Sequence, residues 1–227
     1  MTQQPAGAAV APALPKPLLR GRIHAAAAVG AVIVTVALCW RSRNDLPRLI
    51  SMLIFGLSMI ELYTVSAVYH MGHWRPQVQR VLRSVDHANI FVLIAGTYTP
   101  LCFNVLTDWV RTTILSLIWV LAAAGIGLSV FTPRVPRWVG TGLYIGMGWV
   151  AILALPAFFA VLPVEAIALM VLGGVLYTLG AVVYGRKRPN PFPRVLGFHE
   201  IFHLFTVAAG AVFALVIWIW VVPFPRV

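Results

Sequence analysis

The sequence predicts an all-α protein, a bundle of seven transmembrane helices with its N-terminus in the cytoplasm and its C-terminus on the far side of the membrane. Three observations carry this. Of 227 residues, 60% are hydrophobic and only 10% are charged, whereas a soluble domain is about a quarter charged. The apolar residues gather into seven runs, each near the ~20 residues that a helix needs to cross a hydrocarbon core. The basic residues behind the net charge of +11 fall between those runs, where positive charge sets topology. Charge placed this way speaks for a multi-pass protein of the cell membrane and against nucleic-acid binding. Cys39 and Cys102 lie within or at the ends of apolar runs and form neither a disulfide framework nor a Cys-x-x-Cys metal pair.

Residues 1–19 are expected to be a disordered leader, because Met1 to Pro17 is rich in Ala and Pro and lacks an apolar period. The membrane domain then fills residues 20–227. Arg20 and Arg22 before an apolar stretch could also mark a signal peptide. However, Ile23 to Trp40 is long for a signal core, and Trp-Arg-Ser-Arg follows it in place of small residues, so it is read as the first span. The next spans are Leu49 to His70, His87 to Leu106, Thr112 to Phe131, Val139 to Leu162, Ala166 to Tyr184 and Phe198 to Val222. Pro100 and Pro156 should kink their helices without abolishing them. Gly142 and Gly146, with Gly173 and Gly174, suit close helix packing. With seven crossings, twelve Lys and Arg residues lie on the side of the N-terminus and five on the other, which places the N-terminus inside.

That topology gathers residues far apart in sequence. The second helix ends at the inner side with His70, the third begins there with Asp86, and the seventh begins there with His199 and His203. The last two are four residues apart, so on a helix of 3.6 residues per turn their imidazoles share one face. Three His with an open fourth position suit a catalytic zinc, and facing helices are how bundles build such sites. Ionisable side chains in spans cost roughly 2.5–3.5 kcal/mol each at a helix centre, so a cluster of them is functional by default. Ser66 lies one turn before His70, where it could bond a bound water or a polarised carbonyl, or equally the helix carbonyl four residues back. Asp86 taken alone would be an N-cap or a partner of Arg83; its convergence with three histidines favours the site.

His24, His73 and His87 read as interfacial or packing residues, and Glu61, towards the outer half of the second helix, has no assignable role. Glu200 is the most ambiguous residue. His199-Glu200-Ile201-Phe202-His203 fits His-Glu-x-x-His, the zinc-protease pattern in which Glu is the general base. The chain offers no evident downstream third ligand, and His70, upstream, fits a different plan.

Ser66-x-x-x-His70, then Asp86 with Gly96-Thr97-Tyr98-Thr99-Pro100, then His199-x-x-x-His203 resemble the motifs of the hemolysin III branch of the progestin and adipoQ receptor family. The resemblance runs from about residue 20 through nearly the whole chain. It implies seven helices with the N-terminus inside, and a zinc ion near the cytoplasmic face held by His70, His199 and His203. Asp86 would contact the zinc-bound water, with Ser66 beside it. A Gln can stand at the place of Glu200 in the receptor branch, which implies that this Glu is not the essential base. The short leader departs from the large cytoplasmic domain of the animal receptors. The nearness of the family to alkaline ceramidases implies hydrolysis of a lipid amide, and its bacterial members are named for haemolysis and linked to membrane fluidity.

Four functions follow as expectations. One is a zinc-dependent intramembrane hydrolase of a lipid amide or ester, with Asp86 moving the proton and Ser66 helping to hold the oxyanion; its substrate would be a membrane lipid. The second is a membrane-homeostasis or sensory protein in which zinc only staples helices together. The third is an intramembrane protease based on Glu200, and the fourth a pore-forming hemolysin.

Overall fold

A computed structural model describes residues 17–132 and 136–225, without the side chain of Arg137. Most of the expected leader, up to residue 16, lies outside the described residues, as do Lys16, Arg134 and Arg226 among the charges that oriented the chain.

Among the described residues, seven helices are long and apolar enough to span a membrane. They are α1 (Arg22–Arg41), α2 (Leu46–Met71), α3 (Pro76–Val105), α4 (Asp108–Phe131), α5 (Trp138–Val161), α6 (Val164–Arg186) and α7 (Phe198–Val221). Helices α1 to α4 pack in sequence order, α5 lies against α6 and α6 against α7, and α7 closes back onto α1. Helix α3 is the innermost: 78% of its most apolar stretch is buried, against 17–50% for the others.

Local chemistry explains the boundaries. Asp45 caps α2 by accepting the Arg48 N–H at 3.1 Å, and Pro47 stands in the first turn, where its missing N–H costs nothing. Helix α3 starts at Pro76, well before the apolar run that begins at His87. Its first turns, Pro-Gln-Val-Gln-Arg-Val-Leu-Arg, are mostly exposed, so a hydropathy criterion passes over a helix that the backbone continues. Asp86 is therefore well inside α3 and is not an N-cap. Pro100 sits in α3 without ending it. Before Pro156, α5 tightens into a 3-10 segment over Val150–Ala154. Proline has no N–H to give to the Ile152 carbonyl, which takes the Leu155 N–H instead.

Gly96 lets α3 approach α2, since a Cβ there would collide with the Ser58 hydroxyl. Gly173 similarly lies against Phe213 of α7, and Gly174 more loosely against Trp149. The packing expected of Gly142 and Gly146 is not found: a Cβ at either would meet nothing within 4 Å.

Candidate functional site

The last turn of α2 carries His70 and the first two turns of α7 carry His199 and His203, and all three converge at one end of the bundle. One ligand atom from each lies within 4.8 Å of the others. The Nε2 atoms of His70 and His199 face each other at 3.0 Å, a spacing at which two imidazoles either share one proton or lie on one cation. Ring centroids are 4.5 Å apart for His70 and His199, 4.5 Å for His199 and His203, and 5.4 Å for His70 and His203. Helix α3 brings Asp86 to 3.7 Å from His70 Nε2. Ser66, 2% exposed and one turn before His70, lines the same cavity as Asp86. The five residues singled out in the sequence thus form one contiguous group.

Glu200 belongs to a different set of contacts. It is fully buried, accepts the Gly197 N–H through Oε2 at 2.8 Å and pairs with Arg20 through Oε1. Both oxygens are taken, by the start of α7 and by a guanidinium 180 residues away. Arg20 is held in turn because the Leu18 and Leu19 N–H groups donate to the Arg194 and Val195 carbonyls at 2.9 and 3.2 Å. Gly21, at φ 78°, then turns the chain into α1. Sequence reasoning counted Arg20 only as a loop charge; no local pattern announces a partner so distant.

His24 is the second residue missed. Of the two readings given to it, interfacial or packing, it takes the second: it is 2% exposed and stacks on His203, centroids 3.7 Å apart and planes 8° from parallel, a place beside the site that sequence reasoning did not foresee. An ionisable residue opening an apolar span was the available signal. The other two histidines stay outside the group. His73 is exposed in the α2–α3 connection. His87 faces its own helix and α6, with Nδ1 2.7 Å from the Arg83 carbonyl and Nε2 3.3 Å from the Tyr184 hydroxyl. Glu61 is exposed on α2.

The histidines form the polar head of a cavity of about 410 Å³ that runs on between the helices. Arg20 and Arg83 lie at that head, and Ile94, Tyr98, Trp149 and Phe213 line its body. From Asp86 to Tyr98 along α3 the lining covers about 18 Å at 1.5 Å per residue. The size is that of a small-molecule site, which is commonly apolar with a few convergent polar groups.

The donor set fits a borderline cation. Three imidazoles suit zinc and other first-row ions. Nitrogens about 2.0–2.1 Å from a tetrahedral ion would stand roughly 3.3 Å apart, close to the spacing of the His70 and His199 pair. His203 Nδ1 is buried without a hydrogen-bond partner, a loss of about 1–3 kcal/mol if nothing else binds there.

Comparison with known proteins agrees with this architecture. The family described as Haemolysin-III related matches residues 13–214. Hemolysin-3 of Bacillus cereus is 34% identical over 170 residues, 75% of this chain and 74% of that protein. A Hemolysin-3 homolog of Bacillus subtilis (strain 168) is 35% identical over 163 residues, 72% and 73% of the two chains. The human monocyte to macrophage differentiation factor is 27% identical over 198 residues, covering 82% of this chain and 76% of that protein. With seven spanning helices, a histidine cluster and a family match over most of its length, this chain belongs to the hemolysin III branch of the progestin and adipoQ receptor family and is a multi-pass membrane protein.

Proposed function

We propose that the chain is a zinc-dependent intramembrane hydrolase of a lipid amide or ester that serves membrane lipid homeostasis. One observation carries the reading: a cluster of three histidines with a half-buried carboxylate and a buried serine sits at the head of a long, largely apolar cavity inside the bundle. Such a cavity suits a lipid whose polar linkage lies at the histidines and whose chain extends along α3.

His70, His199 and His203 would hold the ion. Bound there, zinc supplies a Lewis acid that polarises a carbonyl and brings the pKa of water to about 7. Asp86, close to His70 on the cavity wall, takes a proton from the attacking water and passes it to the leaving amine or alcohol. Ser66, which lines the cavity with Asp86, offers a hydroxyl near the developing oxyanion. The surrounding apolar side chains exclude bulk water from the linkage. The distribution of Lys and Arg supports a cytoplasmic position for this end of the bundle.

The test is hydrolysis by purified, zinc-loaded protein of a panel of ceramides, acyl amides and phospholipids. Wild type should release fatty acid, and Asp86→Asn should lose about 10²–10⁴-fold while keeping its zinc. No turnover on any member of the panel would defeat the proposal.

A second reading rests on His70 and the His199 and His203 pair coming from helices at opposite ends of the chain, so an ion there would staple α2 to α7. In that case Asp86→Asn would leave lysis or membrane-fluidity phenotypes unchanged. The Hemolysin-3 name of the Bacillus cereus relative is compatible with damage to membranes by lipid hydrolysis as well as with a pore; single-channel conductance independent of zinc would favour the pore.

A further inference from the structure

We propose that His24 is a positioning residue of the metal centre, bracing His203 from helix α1; the proposal rests on reading His70, His199 and His203 as metal ligands. The His24 ring lies face to face with that of His203, 3.7 Å between centroids and 8° between planes. The ring of Tyr63, from α2, stands 5.1 Å from that of His24 at 51°. Helix α1 thereby reaches into a site whose other members come from α2, α3 and α7.

The parallel stack defines what His24 does. An imidazole lone pair lies in the plane of its ring, so a cation in the plane of His203 is off the plane of His24. His24 in this rotamer is not a fourth ligand to the same ion; it contributes a flat face. His203 needs one. A metal-ligating histidine is ordinarily oriented by a hydrogen bond from its other ring nitrogen. No hydrogen bond among the described residues holds either nitrogen of the His203 ring, so whichever one binds the ion, the other does not orient it. The torsion that turns an imidazole about its Cβ–Cγ bond is broad, so a ring without that bond swings unless something packs against its face. The stack takes the role of the missing bond.

Both His24 nitrogens are also buried without partners, so phenylalanine would make the same face and lose nothing that the brace requires. This separates the stack from the nitrogens in one experiment. Full-length protein, purified and stripped of metal, is titrated with Co2+, reading affinity and the d–d absorption band for wild type, His24→Ala, His24→Phe and His203→Ala. The brace predicts that His24→Ala binds about 10–100-fold more weakly, the usual loss when a ligand's orienting partner is removed, with an altered band. It predicts that His24→Phe restores both affinity and band to near wild type. Should the alanine variant fail to fold metal-free, His24→Leu, which fills the space without a flat ring, replaces it with the same expectation. A His24→Ala protein that binds Co2+ as wild type does overturns the brace. So does a His24→Phe protein as weak as His203→Ala, since the nitrogens would then act on the ion themselves. Wild type that takes up no Co2+ removes the metal reading itself, a failure distinct from the first two.

Discussion

At the scale of single residues, the metal-ligand candidates were legible and the role of the carboxylates was only half so. His199 and His203 are four apart on one helix, a spacing that geometry alone converts into a shared face, and His70 ends an apolar run. Glu200 shows where pattern reading stops. Its motif suits a protease base, yet its two oxygens are engaged by Arg20 and the Gly197 N–H. The energetic role of that pair is to close the start of α7 onto the segment before α1. Replacing Glu200 by Gln should therefore cost stability and leave chemistry in place. A drop of about 3 kcal/mol is expected, the low end for a buried pair broken on one side, because the Arg20 side chain is 24% exposed. Thermal unfolding and zinc content measured together check this: a less stable protein with wild-type zinc and a wild-type rate per folded molecule supports the account. A normally stable protein without hydrolytic activity would return Glu200 to the position of catalytic base.

At the scale of elements, hydropathy located all seven spans but misjudged the ends that leave the apolar layer. Helix α3 is the clearest case, since its exposed first turns carry Gln77, Gln79, Arg80 and Arg83, which no apolar window includes. The tightening of α5 before Pro156 was readable from the proline, whereas the open surroundings of Gly142 and Gly146 were not, because small residues reveal a capacity for close packing and never the presence of a neighbour. The exposed start of α3 also offers a handle on helix direction. Val78 is 42% exposed there, so a Val78→Cys variant should react with a membrane-impermeant maleimide in inside-out vesicles and not in intact cells. Cys39 and Cys102, within spans, serve as the background in the parent protein. Labelling from the outside of intact cells would reverse the proposed orientation.

At the scale of the whole molecule, the bundle supplies what no single helix could. Residues from α2, α3 and α7 meet at one end, α1 covers them through His24 and the segment before it through Arg20, and the space left between the helices becomes the cavity. The convergence of His70, Asp86 and the α7 pair followed from counting crossings, because helices that alternate direction bring alternate ends together. The contributions of His24 and Arg20 depend on contacts across about 180 residues of chain; Arg20 has no local pattern to announce it, and His24 only its place as an ionisable residue opening an apolar span. The central claim, that these three histidines form one metal site, is tested most directly by the metal content of the purified full-length protein, wild type beside His203→Ala. The account predicts about one zinc per chain in the wild type and close to none in the variant. A wild type without zinc, or a variant that retains it in full, would contradict it.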